Sequence, residues 1–275
     1  MFIANYIHFL RCYAKKNQHI DASLIQKNVV VSMTTTPARI TKIWPTLNSI
    51  ALQSIKPEKI YLWIPKKFKR FNHETISRIP HFIQANPYIH VEWIDDDFGP
   101  ATKLLPCLKL LEGQDTNIIM IDDDRIYPPH LIRDFLIHER TDPYSALGIA
   151  GTIVHGSERR EYRSRRNITL VDVLLGYNGC LVKPSFFSKE VFNYPSDLPE
   201  AFFEDDVWFS GHLKKMGVRR LLIPSIAGWQ NIITGNKNSF GLCMYENKDK
   251  RNFIHVYNYF NTTLGFSRNK SSITL

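Results

Sequence analysis

Apolar and polar positions along this chain fall into blocks that read alternately as strands and helices. Val29-Val30-Val31-Ser32-Met33 is a short β-branched run of the kind a buried parallel strand needs. Ile40, Ile43, Trp44, Leu47, Ile50 and Ala51 then recur at helical spacing, with Pro45 either in the first turn or interrupting the helix. Residues 59–64 and 89–94 predict two more strands with a helix over 75–85 between them. A helix over 101–111 and a fourth strand over 118–121 follow, then a strand-like stretch at 180–183 and a helix over 205–216. Strands alternating with helices predict an α/β fold, a mostly parallel central sheet with helices on both faces and a smaller C-terminal part. The segment 159–166, with Arg159, Arg160, Arg163, Arg165 and Arg166, is expected to be a long mobile loop.

The first residues form a separate segment, about 1–27, ahead of a single domain over 28–275. There Phe2, Ile3, Tyr6, Ile7, Phe9, Leu10 and Tyr13 make an apolar stripe accompanied by Arg11, Lys15 and Lys16. Two readings fit: a helix lying on an anionic membrane through residues 1–16, or a terminal helix packed on the domain. No apolar run approaches the ~20 residues that span a bilayer. No cleavage-site pattern follows the N-terminal run either. The expected location is therefore cytoplasmic, with any membrane contact peripheral.

Composition narrows the classes. At 275 residues, 44% apolar and 22% charged, the chain can bury a sizeable core, which excludes wholesale disorder. Cys12, Cys107, Cys180 and Cys243 lie far apart without a C-x-x-C, so neither a zinc site nor a disulfide framework is expected. The N-x-S/T triplets at Asn167, Asn261 and Asn269 lack an export signal that would give them use. The formal charge of +9 attracts anions, among them nucleic acid, lipid headgroups and phosphorylated small molecules.

In open α/β sheets ligands bind beyond the carboxyl ends of the strands. Three strand ends here carry polar chemistry: Thr34 to Arg39, Asp95-Asp96-Asp97, and Asp122-Asp123-Asp124. Like charges as close as the last triplet repel, so a carboxyl takes up a proton or a cation joins the group. A hard divalent ion, Mn²⁺ or Mg²⁺, suits oxygen ligands and leaves room for substrate phosphates; a solvated acidic turn is the plainer alternative. Glu204-Asp205-Asp206 opens the helix over 205–216, either as a dipole-favoured cap or with one acid as general base. Lys103 falls in the first turn of its helix, either as a surface charge, the commoner case, or placed by the neighbouring acids for phosphate. Gly176-Tyr177-Asn178-Gly179 allows close backbone approach and offers an aromatic face, and Trp229-Gln230 with residues 235–241 has the composition of a lid. Neither a P-loop nor a G-x-G-x-x-G after a strand is present, which removes the main support for P-loop NTPases and dinucleotide enzymes.

The order TTTPAR, DDDFGPATK, DDDRIYPP, GYNG and FFEDDVW, each at its expected element end, resembles the GT-A nucleotide-sugar glycosyltransferases over about 29–224. The bacterial polysaccharide branch, including capsule N-acetylglucosaminyltransferases with a similar DDD-x-IYPP segment, is most similar. The resemblance implies a GT-A fold with a nucleotide-binding half at about 28–130 and an acceptor half at about 131–275. It implies that Thr34, Thr35, Thr36 and Arg39 hold base and ribose, with Asp95, Asp96 or Asp97 near the base and Lys103 near the nucleotide. It places Asp123 by the ribose, Asp122 and Asp124 as the D-x-D acids with Asp124 on Mn²⁺ or Mg²⁺, and His255 as a candidate further ligand. Glu204, Asp205 and Asp206 match the catalytic acids, Asp205 the base of an inverting enzyme; a retaining enzyme needs none. The implied activity is transfer of a hexose or N-acetylhexosamine from a nucleotide sugar, UDP-linked by expectation, to a glycan or lipid-linked acceptor. A nucleotidyltransferase and a basic nucleic-acid-binding protein are the alternatives. The second leaves both strand-end acid clusters unexplained, so no nucleic-acid partner is expected.

Overall fold

The computed structural model describes residues 2–14, 20–156, 158–164, 166–224, 232–233 and 251–263. The chain begins with α1 (Phe2–Ala14), β1 (Ile25–Thr34), α2 (Trp44–Ala51) and β2 (Lys56–Pro65). Next come α3 (His81–Gln84), β3 (Ile89–Ile94), α4 (Leu105–Leu110), β4 (Asn117–Met120), β5 (Arg125–Ile126) and α5 (Leu131–Thr141). Short strands follow: β6 (Ser145–Gly148), β7 (Ala150–His155), β8 (Glu158–Arg163), β9 (Thr169–Leu170), β10 (Val173–Leu174) and β11 (Cys180–Val182). The order closes with α6 (Asp205–Lys215), β12 (Arg219–Leu222), β13 (Ile232–Ile233) and α7 (Arg251–Thr263).

Eight strands form one sheet in the order β3-β2-β1-β4-β11-β6-β12-β9. Strands β3 to β4 run parallel, as do β6 and β12, while β11 is antiparallel to both its neighbours and β9 to β12. The sheet is mostly parallel with helices on both faces, as its apolar runs foretold. Alternate residues feed two cores. Val29, Val31, Met33, Leu62 and Ile119 pack against α2 and α5, whereas Val30, Trp63, Ile118 and Met120 pack on the side of α4, α6 and α7. Both faces being covered is why the strands read as unbroken hydrophobic stretches. Ser32, the polar member of β1, is satisfied in place: it donates to the Lys103 carbonyl at 2.6 Å and accepts from Trp63 Nε1 at 2.8 Å.

Three expectations need correction. The helix over 75–85 shrinks to His81–Gln84, because Pro80 disfavours a helical residue before it. The helix over 101–111 is a 3₁₀ turn, Gly99–Lys103, followed by α4, with Pro106 in the first turn of α4. The arginine segment 159–166 is not a loop over its first part: β8 pairs antiparallel with β7 from Ala150↔Arg163 to His155↔Glu158. Backbone pairing overrides the charged composition there, and residue 165 lies outside the described residues. So do Trp229, Gln230 and 235–241, on which the lid expectation rests.

The α6–α7 contact is close enough to need glycine. A Cβ on Gly211 would meet the Phe260 ring at 2.2 Å. Cys12, Cys107 and Cys180 are buried free thiols, with burial pushing Cys12 and Cys107 up to about 12. Among the described residues no helix is long and apolar enough to cross a membrane.

Candidate active site

The carboxyl ends of β1, β2 and β4 open onto one cleft of about 460 Å³, closed on its far side by the start of α6. The Asp122–Asp124 turn is fixed from below by the residues that follow it. Tyr127 is fully buried; its hydroxyl accepts from the Asp122 backbone N–H at 2.9 Å and donates to the Tyr177 carbonyl at 3.1 Å. The Pro128 and Pro129 carbonyls accept from Gln53 Nε2 and the Ser54 N–H. The I-Y-P-P tetrapeptide is thus a clamp that holds the acids against the C-terminal end of α2.

Each acid of the triplet has a different environment. Asp123 is buried and tied down by Thr35 Oγ1 at 2.6 Å and Arg39 at 2.8 Å, while Thr46 Oγ1 donates to its backbone carbonyl. Burial still raises its carboxyl above the ordinary value, against the pull of Arg39. Asp122 sits 2.8 Å from Lys103 Nζ; burial opposes its charge, but the ammonium outweighs it and lowers the pKa. Asp124 has looser partners, Arg39 at 3.3 Å and Arg125 at 3.8 Å. Burial first, then the neighbouring Asp122 and Asp123, push it up to about 6. It is the acid of the three most in want of positive charge.

Lys103 lines the cleft, with its ammonium already engaged by carboxylates. It is 4% exposed and bridges Asp122 at 2.8 Å and Asp205 at 2.9 Å. Burial works against its charge, yet Asp122, Asp205 and Asp206 hold its pKa well above the ordinary lysine value. A buried ammonium is stable only with such partners. It joins the strand-end acids to the helix-start acids.

At the start of α6, Asp206 Oδ1 accepts from the Gly176 N–H at 2.9 Å, and desolvation followed by Asp205 raises its carboxyl well above the usual range. A Cβ on Gly176 would lie 2.8 Å from that oxygen and 3.0 Å from Lys103 Nζ, so the first glycine of GYNG is required by this approach. Tyr177 lines the cleft with its ring 4.6 Å from the Arg125 guanidinium, and its hydroxyl bonds Arg163 and Glu161 of β8. The arginine-rich hairpin therefore braces a residue of the site wall without lining the cleft itself.

Glu204 also lines the cleft. Burial and Asp205 push its carboxyl up to about 7, with Arg159 opposing. A folded-state value above the unfolded one of roughly 4.3 means the native state holds the proton more tightly, so stability falls as pH rises between them. Glu204→Gln is expected to raise the melting temperature above pH 7 and to leave it unchanged near pH 4. Equal melting curves at both pH values would show that Glu204 is not held in this way.

Not every anticipated residue arrives. Asp95 is exposed and paired with Lys66 at 2.6 Å, and Asp96 faces a separate groove. Only Asp97 of that triplet lines the cleft; its carboxylate accepts from the Lys69 and Gly99 N–H groups and so shapes the loop instead of facing a base. His255 does not line the cleft. It stands on α7, 55% exposed, with Nδ1 3.0 Å from Glu200. Conversely, Phe68, Arg70, Phe71 and Arg125 line the cleft and were not singled out from the sequence. The end of β2 was the signal available: a strand-end loop beside those of β1 and β4.

The fit of a divalent ion rests on the donor set. Among the described residues no three His, Cys, Asp or Glu side chains gather to hold a metal by themselves. Mg²⁺ and Mn²⁺ sites that use one or two carboxylates and substrate phosphates do not need three. Asp124, short of counter-charge and facing the cleft, with Asp122 beside it, fits such a site. His255 does not.

The strand order and the helices on both faces define an α/β fold with a mostly parallel central sheet and acid-bearing strand ends. Crystal structures of S. aureus TarS 1-349 share it. The one in complex with UDP superposes with a TM-score of 0.50 at 14% identity, over 88% of this chain and 73% of that one. A second TarS 1-349 structure gives the same score and identity over 75% of its length. At this identity the likeness is one of fold. Neither a family model nor a curated protein matches the sequence.

Proposed function

We propose that this protein is a metal-dependent glycosyltransferase that moves a hexose or N-acetylhexosamine from a nucleotide sugar, of the UDP type, to a glycan or lipid-linked acceptor. The observation that carries the reading is one cleft with two facing acid groups, Asp122–Asp124 and Glu204–Asp206, joined through buried Lys103. The fold it shares with a protein crystallised with UDP supports a nucleotide in that cleft.

On this reading Thr35, Arg39 and Asp123 form the nucleoside end, locked together by their mutual hydrogen bonds. Asp124 and Asp122 would hold Mn²⁺ or Mg²⁺, which supplies positive charge to the leaving diphosphate. Arg39 and Arg125 add to that field from fixed positions, so little reorganisation is needed as charge develops. In an inverting transfer the acceptor oxygen attacks the anomeric carbon while Asp205 takes its hydroxyl proton. The nucleoside diphosphate departs with the electrons of the broken bond. Lys103 holds the Asp205 carboxylate at 2.9 Å and so fixes its position at the wall of the cleft.

A thermal-shift panel of nucleotide sugars with and without Mn²⁺ tests the reading. The expected result is a rise in melting temperature with a UDP-sugar that depends on the metal. No shift with any nucleotide sugar, in the presence or absence of metal, would overturn it.

A further inference from the structure

Helix α1 leaves more of its apolar stripe in solvent than a helix that only packs on its own domain needs to. Such a helix directs its apolar stripe inward. Here Tyr6, Ile7, Leu10 and Tyr13 fall on one face at 100° per residue and are 63%, 50%, 47% and 37% exposed. The side turned to the protein carries His8 and Cys12, which are 6% and 0% exposed. His8 Nε2 lies 3.0 Å from the Tyr127 carbonyl, and Asn48 Nδ2 donates to the Cys12 carbonyl at 2.7 Å. The helix is thus held in place by these polar contacts and by the Tyr13 ring set edge-on against Trp44, 5.2 Å between centroids, while Tyr6, Ile7 and Leu10 point to solvent. Contiguous apolar surface of this kind marks an interaction site.

We propose that this face docks on an anionic lipid surface. Charge favours lipid over a second copy of the chain. No acidic residue occurs in 1–16, Arg11 is on the helix, and Lys15-Lys16 follow it directly in the sequence. Two such segments facing each other would repel, whereas negative headgroups attract them. Tyr6 and Tyr13 near opposite ends of the face suit the water–lipid boundary, where an aromatic body and a polar tip are both satisfied. Thirteen residues make a helix of about 20 Å, too short for a ~30 Å hydrocarbon core, so it lies in the interface plane. The anchoring contact leads to the active-site clamp, since Tyr127 meets His8 through its carbonyl and the Asp122 N–H through its hydroxyl.

The test is co-sedimentation of the full chain with vesicles of phosphatidylcholine alone or mixed equally with phosphatidylglycerol. Wild type is expected to partition onto the mixed vesicles and little onto the neutral ones. Burial of one Leu or Ile is worth about tenfold or more in partitioning. Leu10→Glu should therefore lower the bound fraction at least that much, and Lys15→Gln with Lys16→Gln should weaken binding to the anionic vesicles alone. Melting curves check that the variants fold; Tyr6→Ser with Tyr13→Ser replaces Leu10→Glu if it does not. Binding of wild type to neither vesicle would overturn the proposal, as would equal sedimentation of wild type and folded Leu10→Glu. A solution dimer that Leu10→Glu converts to monomer would instead assign the face to a second copy. The readout involves no transfer reaction, so its outcome is independent of the proposed activity.

Discussion

Asp205→Asn is expected to lower turnover by about a hundred- to ten-thousand-fold, the usual worth of a positioned general base. Asparagine keeps the size of the side chain at the start of α6 but cannot take a proton. Donor affinity should be nearly unchanged, because the strand-end groups that meet the nucleotide on the proposed reading are untouched. Lys103 loses one of the two carboxylates within 3 Å of it, so the variant should also melt at a lower temperature. Rates therefore belong well below that midpoint, with a titration of donor binding alongside. Near-normal turnover in Asp205→Asn with an inactive Glu204→Gln would move the base to Glu204. Near-normal turnover in both would point to a retaining route, which uses neither.

Asp124→Asn is expected to abolish the metal-dependent part of donor binding while making the ligand-free protein more stable at neutral pH. The two effects have one origin. Burial and two neighbouring acids raise Asp124 to about 6 in spite of Arg39 and Arg125, against roughly 3.9 in an unfolded chain. The ionised carboxylate is therefore a net cost to the fold, on the order of 3 kcal/mol once pH exceeds both values. That cost is absent below about pH 4, grows between about pH 4 and 6 and levels off above. The asparagine variant should accordingly melt higher than wild type at pH 7.5 and alike near pH 3.5. Calorimetry with UDP-sugar and Mn²⁺ reads the other half: wild-type affinity in the variant would remove Asp124 from the metal. A function that needs uncompensated negative charge leaves this signature of strain at its site.

The contrast between Asp124 and Lys103 shows what a sequence reveals. Apolar runs such as 29–33 and 118–121 were legible because both faces of the sheet are covered, and the strand-end rule then located most of the cleft. The state of Lys103 was not legible. Its partners lie 19 and 102 positions further on, and nothing in the letters tells a phosphate-seeking lysine from one enclosed by two carboxylates. His255 failed for a similar reason: helix α7 was not anticipated, and it presents the ring to Glu200. Strand β8 is invisible to composition because its pairing with β7 is made by backbone groups while most of its own side chains are charged. Phe68, Arg70 and Phe71 belong to a loop whose chemistry is aromatic and basic, and the search for acids passed over it.

The placement of β11 bears on how the molecule can be divided. This strand comes from beyond residue 131, yet it is inserted between β4 and β6 and is bonded to both. A fragment ending near residue 130 would leave the Ile118–Met120 ladder bare along one side, and the complementary fragment would carry a strand with half its pairing gone. The parts of the chain before and after residue 130 therefore share a single seam of hydrogen bonds and are not modules that recombination could exchange intact.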